Sequence, residues 1–461
     1  MEREQIDIGS SEVLFLKQPT SKKWVNTVLH ALHRHQKLLV AWISDTPVEE
    51  LAKHPRCQFF SCHEDPTRIA WRYLFLKPCY VGELDELNRA QMEVELLASE
   101  YQDFGHLTLS NLVSNLPLIT QSKQGLHLDG KAKGMTAIVC GGGPSLAPVL
   151  PYLKGLQEQV IIIAGGSAIA ALSQAQITPH LITGVDPDPS WVRFLDQSCF
   201  MTPFIYQARF SALQLQSLSS PLIFFPGATT ALEHHFFSTL PFDAGWSVFN
   251  FSTAIALHLG CSHIILAGAD FCAPKETLYA KGVLQDTLEE LVIPYEKSLY
   301  TKKDWILSRR WTLDLIKAHP EVHFLKGPSL DPQLTLQEVD FDHLQSLPAQ
   351  DMQALVHKWT EELPLMSSEK SPQDLLKTFK AAMISCDKML AIWQQHHPEL
   401  PFDTPSYLEQ EEALRKTVCY THYLHPLWQV WQFPLLRSET SQEGRRLHEL
   451  LFFKTTLEKC L

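Results

Sequence analysis

Four clusters of small and acidic residues hold the chemistry this chain offers. The first is Gly141-Gly142-Gly143-Pro144-Ser145-Leu146, directly after a short apolar run. Three glycines admit positive φ and let a ligand approach the backbone. Pro144 suits the first position of a helix, where its missing N–H costs nothing. Ser145 offers a hydroxyl and the helix start offers unpaired amides, a combination that suits an anion and above all phosphate. Leu146 stands where a dinucleotide fingerprint has its third glycine, and no Gly-Lys-Ser/Thr follows, so neither that fingerprint nor a Walker loop is present. A tight strand-to-helix turn with no ligand also explains the glycines; Pro-Ser in this context favours phosphate.

The second cluster, Gly165-Gly166-Ser167, would lie beside the first and meet the nucleoside part of the same ligand. Close helix-to-strand packing explains it as well. The third is Gly184-Val185-Asp186-Pro187-Asp188-Pro189. Its carboxylates could accept hydrogen bonds from a sugar or base, cap a helix near Pro189, or, third in order, bind a hard metal such as Mg²⁺. Prolines on both sides of Asp188 keep the loop extended. The fourth is Gly268-Ala269-Asp270, reached through Gly245-Trp246-Ser247-Val248 and a helix through Ala254 and Leu257; Asp270 is a site candidate by position, or else an exposed loop acid. The pair His234-His235 reads as helical packing. Lys302, Lys303, Arg309 and Arg310 form a basic cluster, either a solvated face or a clamp for a phosphate or sugar carboxylate. Cys57, Cys62 and His63 lack the second ligand pair a zinc site needs and read as thiols near a strand.

The elements that must position these residues follow from periodicity. Short apolar runs at 136–140, 160–164, 181–185, 203–206, 222–225, 263–267 and 322–325 alternate with mainly helical stretches, which predicts a doubly wound parallel sheet with ligands at the carboxyl ends of its strands. Runs at 13–16 and 38–43, with helical spacing at 22–35 between them, predict a small α/β domain over residues 1–125; 83–100 and 106–115 read as helices leading out of it. Half of the 20 glycines fall between Gly125 and Gly184, and none lies between Pro328 and Glu443. Residues 331–461 therefore read as an all-helical domain, with a capped start at Asp340, a long helix over 373–394 and an aromatic run at 420–433 that packs a core or, as the weaker alternative, forms a ligand-stacking platform. The expected domains are 1–125, 126–330 and 331–461.

Composition narrows the partners. The 461 residues are 45% hydrophobic and 20% charged, with 39 Lys plus Arg against 51 Asp plus Glu, a net charge of −12. That excludes wholesale disorder and argues against non-specific binding to nucleic acid, which needs a basic face. No run reaches the ~20 apolar residues of a membrane span. Ten scattered cysteines without a Cys-x-x-Cys pair, behind an acidic start, predict a reduced, cytoplasmic protein.

The stretches AIVCGGGPSL, VIIIAGGSAIAALSQAQITPHLITGVDPDP and GWSVFNFSTAIALHLGCSHIILAGADF resemble the motility accessory factor family, glycosyltransferase-like proteins whose central domain is similar to bacterial sialyltransferases. The resemblance covers residues 136–275 well and the flanks in outline. It implies a donor nucleotide-sugar, a CMP-activated nonulosonic acid of the sialic, pseudaminic or legionaminic type, and a protein Ser or Thr hydroxyl as acceptor, flagellin in the flagellar members. On this resemblance Gly141, Gly142, Gly143, Pro144, Ser145 and Leu146 form the phosphate loop, Gly165, Gly166, Ser167, Asp186 and Asp188 line the nucleoside side, and Gly245, Ser247 and Asp270 close the other. No metal or further cofactor is then required. The family's histidine base has no counterpart here, since no histidine lies between His263 and His319; Tyr279, Asp286 or Glu296 could substitute for it, none singled out by the sequence, and Asp270 is the other candidate catalytic residue. A second relative is the archaeal 6-hydroxymethyl-dihydropterin diphosphokinase group, for which Asp186 and Asp188 would hold Mg²⁺ and ATP would be the donor. A third reading is a non-catalytic nucleotide-binding protein that docks through its helical tail, and an oligomer fits any of the three.

Overall fold

The computed structural model describes residues 7–18, 20–190, 200–227, 233, 237, 241–283, 293–296, 298–367, 371–396, 401–432 and 441–461. They form two compact units, Met1–Glu100 and Tyr101–Leu461.

The first unit is a four-stranded parallel sheet of β1 (Val13–Leu16), β2 (Leu39–Ile43), β3 (Cys57–Phe60) and β4 (Pro78–Val81), in the order β3-β2-β1-β4. The helix Lys22–Arg34 buries Val25, Val28, Ala31 and Leu32, the spacing of one helical face. Cys57 begins a strand, as the plain reading of that thiol anticipates. The helices expected at 83–100 and 106–115 are one continuous helix, Asp85–Ile119. No proline or capping pair separates the two periodic stretches, and Gly105 is tolerated within the helix. Its missing side chain makes room for Leu427, since a Cβ there would lie 2.5 Å from Leu427 Cδ2.

The second unit is built on an eight-stranded parallel sheet. Its strands are β5 (Lys123–Gln124), β6 (Thr136–Cys140), β7 (Ile161–Gly165), β8 (Leu181–Gly184), β9 (Phe204–Tyr206), β10 (Leu222–Phe224), β11 (His263–Ala267) and β14 (His323–Lys326), in the order β14-β11-β6-β7-β8-β9-β10-β5. A small antiparallel pair, β12 (Ile293–Pro294) and β13 (Tyr300–Thr301), lies in the long connection after β11. All seven apolar runs from 136 onward are strands of the large sheet. Each run is apolar throughout because alternate residues enter two different cores. Ile138, Ile162, Ile182 and Ile265 face one core; Val139, Ile163, Ile205 and Leu266 face the other.

The first core is covered by Leu109, Leu112, Leu116 and Ile119 and by the carboxyl-terminal helices. The second is covered by the helices Val248–His258, Lys303–Ala318 and Met352–Glu362. Residues 331–461 are helical as expected: Asp340 caps Phe341–Gln345 through Asp342 and His343, and Pro372–His396 is the long helix. In the aromatic run, Tyr423 and Trp428 are buried, and the Tyr423 hydroxyl donates to Gly105 O. Core packing is therefore its role. Among the described residues no helix is long and apolar enough to cross a membrane.

Candidate functional site

From β6 the chain runs outward through β7, β8, β9 and β10, then returns to add β11 and β14 on the other side. The switch point is thus the crevice between the carboxyl ends of β6 and β11, where open α/β sheets bind ligands. The loops expected to act together, at residues 141–146, 165–167, 186–188 and 268–270, all leave this edge.

The crevice itself is filled by the chain. Gly141 N donates to Ala267 O (2.7 Å) and Gly143 N to Gly268 O (3.1 Å). A Cβ on Gly141 would lie 2.5 Å from Gly268 O, and one on Gly143 would overlap the Asp270 carboxylate. Gly268 has φ 69°, which a side chain would strain. Asp270 reaches across the gap: Oδ2 accepts from Ser145 N (2.9 Å) and Oδ1 from Leu330 N (2.7 Å). It is only 3% exposed. Burial pushes its carboxyl above the usual range, the Leu330 amide and Ser145 pull it back, and Asp331 adds repulsion.

The amide expected to hold a phosphate therefore holds Asp270. This corrects one expectation, that of Asp270 as an exposed loop acid. Gly143 and Ser145 make room for an internal carboxylate and bind it, and Asp270, with both oxygens on buried amides, is a pin between loops and not an exposed acid. The short 3-10 helix Pro144–Leu146 does begin at Pro144, and Leu146 enters the core. Gly142 packs against the next loop, since a Cβ there would lie 2.5 Å from Ser167 Cβ, and its carbonyl accepts from Ala280 N (2.9 Å).

Beside Asp270 lies a second buried carboxylate that the sequence reading missed. Asp331 Oδ1 accepts from the Tyr295 hydroxyl (2.7 Å) and faces Arg309 Nη1 at 3.7 Å. Arg309 Nη1 also donates to the Tyr295 hydroxyl oxygen, and the guanidinium stacks on its ring at 5.0 Å. Asp331 Oδ2 is buried and has no hydrogen-bond partner among the described residues. Burial and the two aspartates push the Cys272 thiol up to about 12. Of the basic cluster, Arg309 thus compensates buried charge, and Lys302 pairs with Asp304 at 3.0 Å and covers the Trp305 ring.

The middle of the edge is differently built. Gly165 and Gly166 begin the helix Ser167–Gln174, with Gly166 at φ 53°. A Cβ on either would meet Val248, the first residue of the helix Val248–His258. Two helix N-termini, each with the positive end of its dipole, thus adjoin at this edge. Ser247 caps the second: its Oγ accepts from Asn250 N (3.2 Å) and pairs with Ser308 Oγ (2.8 Å). Gly245, at φ 63°, packs a backbone turn against Asn250. Both residues are therefore built into the helix start. Tyr279 is half-buried and packs on Ala273 and Leu278. His234, His235 and Asp286 lie outside the described residues.

The loop after β8 is held entirely through its backbone. Val185 O accepts from Arg209 Nε (2.7 Å), Asp186 O from Ser211 N (3.3 Å), Pro187 O from Asn111 Nδ2 (2.9 Å) and Pro189 O from Gln214 Nε2. Asp186 is half-buried, Asp188 is exposed, and neither carboxylate has a partner among the described residues. Further along the edge, Glu233 is fully buried and accepts from Gly227 N (2.6 Å). Burial raises its carboxyl to about 7, against the opposing pull of the Gly227 and Ala208 amides and of Arg209. Asn111, Arg209, Glu233, Asp331 and Tyr295 all escaped the sequence reading. The one signal was the spacing of Asn111 and Asn115, four apart on one face of a helix.

Residues 110–276 match the family model described as MptE-like, 6-hydroxymethylpterin diphosphokinase MptE-like. That span contains all four edge loops. The chain is also similar to a solved structure, the MAf glycosyltransferase from Magnetospirillum magneticum AMB-1, at 12% identity and a TM-score of 0.48, over 98% of this chain and 78% of that one. The family-model match repeats the diphosphokinase resemblance drawn from the loop sequences. No curated protein matches the chain.

Proposed function

We propose that this protein is a glycosyltransferase-like enzyme that binds a CMP-activated nonulosonic acid at the carboxyl edge of its large sheet and transfers the sugar to a protein hydroxyl. The observation that carries the reading is the arrival of four sequence-distant loops at one edge of one parallel sheet, together with two carboxylates that have no partner among the described residues, on a loop whose backbone is held by hydrogen bonds. The nucleotide lies over β7 and β8, not in the filled crevice. Asp186 accepts hydrogen bonds from its sugar or base. The adjoining helix N-termini at Ser167 and Val248 supply positive potential for the phosphate, and so favour the departure of CMP as its charge develops. The acceptor hydroxyl must lose its proton as the glycosidic bond forms. Tyr279 is the residue proposed to be closest to that task, with Asp270 holding the loops in place.

The family-model match favours a second reading, transfer of a diphosphoryl group from ATP to a pterin. Mg²⁺ is held by one or two carboxylates together with nucleotide phosphates, and Asp186 and Asp188, without partners among the described residues, fit that donor set. Bound there, the ion would offset phosphate charge.

Thermal-shift titration with CMP, a CMP-sugar, ATP and a pterin, with and without Mg²⁺, separates the readings. Stabilisation by CMP and CMP-sugar without metal supports sugar transfer. Stabilisation by ATP only with Mg²⁺, and none by CMP, overturns it. Binding of CMP without turnover in any acceptor screen supports a non-catalytic nucleotide-binding protein.

A further inference from the structure

Pro187 and Pro189 have no N–H, so the loop carrying Asp186 has few amides of its own with which to hold a shape. Its carbonyls are gripped from outside instead, and the most committed grip is Asn111. This side chain is 5% exposed, on the helix Asp85–Ile119. Its Nδ2 donates to Pro187 O (2.9 Å) and Arg209 O (3.1 Å), and its Oδ1 accepts from Ala212 N (3.1 Å). One amide thus joins the loop after β8 to the loop after β9. Only a carboxamide does this, because two carbonyls need donors and one amide needs an acceptor. One turn further along, Asn115 Nδ2 donates to Ala208 O (3.0 Å) and Phe210 O (2.8 Å) and touches the second loop only. Arg209, whose carbonyl Asn111 holds, returns a hydrogen bond to Val185 O, so the two loops are tied in both directions.

We propose that Asn111 is a positioning residue for ligand binding: it fixes the Pro187 carbonyl, and through it the direction of the neighbouring Asp186 carboxylate. The proposal rests on the reading above that Asp186 meets a cytidine nucleotide. A buried asparagine with three bonds is also structural, so the test needs a readout that stability alone does not move.

That readout is a double-mutant cycle on CMP affinity, measured by calorimetry well below the melting temperature of each variant. Asp186→Ala is expected to weaken CMP about tenfold or more. Asn111→Ala is expected to weaken it about tenfold in the wild-type background and less than about twofold in the Asp186→Ala background, because its effect passes through that carboxylate. Asn115→Ala, equally buried, is expected to stay within about threefold of wild type. If Asn111→Ala does not fold, Asn111→Asp, of the same shape and still able to accept from Ala212, has the same expectation. Equal losses for Asn111→Ala and Asn115→Ala, or an undiminished effect of Asn111→Ala in the Asp186→Ala background, overturn the proposal. Wild-type affinity in Asn111→Ala overturns it while leaving the Asp186 reading intact. A wild-type protein that binds no CMP overturns the functional reading first, and this proposal with it.

Discussion

The carboxyl edge of the large sheet contains two halves built from the same residue types to opposite ends. At the switch point, glycines and an aspartate close on each other: Asp270 is buried and spends both oxygens on the amides of Ser145 and Leu330. Over β8 the backbone from Val185 to Pro189 is tied down, and the carboxylates of Asp186 and Asp188 have no partner among the described residues. A glycine-rich loop beside an acid does not by itself make a ligand site. What separates the two is where the hydrogen-bonding capacity goes, into the fold or out of it.

Substitutions in the two halves should therefore fail differently. The largest effect is expected at the sealed half. Asp270→Ala leaves two buried amides unpaired and should cost about 3 kcal/mol or more in urea unfolding. Gly143→Ala, which drives a methyl into the same carboxylate, should be comparably damaging. A stable Asp270→Ala variant that loses only ligand affinity would reverse the roles of the halves. In the open half, Asp186→Ala should change stability by no more than about 0.5 kcal/mol while weakening nucleotide binding, the opposite pattern.

Titration sharpens the contrast between the site edge and the rest of the sheet. Glu233, at the site edge, has its carboxyl raised by burial from 4.5 to about 7. The folded state thus holds its proton longer, and this contribution to stability falls as pH rises from 4.5 through 7. His180, before β8, is buried, accepts from Ile162 N (2.9 Å) and is lowered by burial from 6.5 to about 4. The folded state binds its proton less readily, so that contribution rises with pH between about 4 and 6.5, by about 3 kcal/mol. Unfolding curves across this range should flatten in opposite senses for Glu233→Gln and His180→Gln; parallel curves for wild type and both variants would contradict these assignments. A smaller stability loss than at Asp270 is expected for Ser247→Ala, a lost helix cap worth about 1 kcal/mol in urea unfolding.

The strands were legible because a sheet buried on both faces writes itself as continuous apolar runs, and each loop glycine was legible from its place after such a run. The two-residue strand Lys123–Gln124 was not, because it has no apolar run and owes its pairing to the neighbouring Leu222–Phe224 strand. The sealing of the switch point was equally hidden: nothing near Ser145 in the chain says that its amide meets a carboxylate 125 residues later. Asn111 and Asn115 are read as helix residues until the carbonyls they serve are known. Spacing reports which element a residue belongs to; the partners of a buried polar group are set by topology.

The most direct measurement is a crystal structure of the protein soaked with CMP. This account predicts the nucleotide over the ends of β7 and β8, within hydrogen-bond distance of Asp186, with Asp270 still bonded to Ser145 and Leu330. A phosphate on the Ser145 amide with Asp270 displaced, or a nucleotide bound away from this edge altogether, would contradict it.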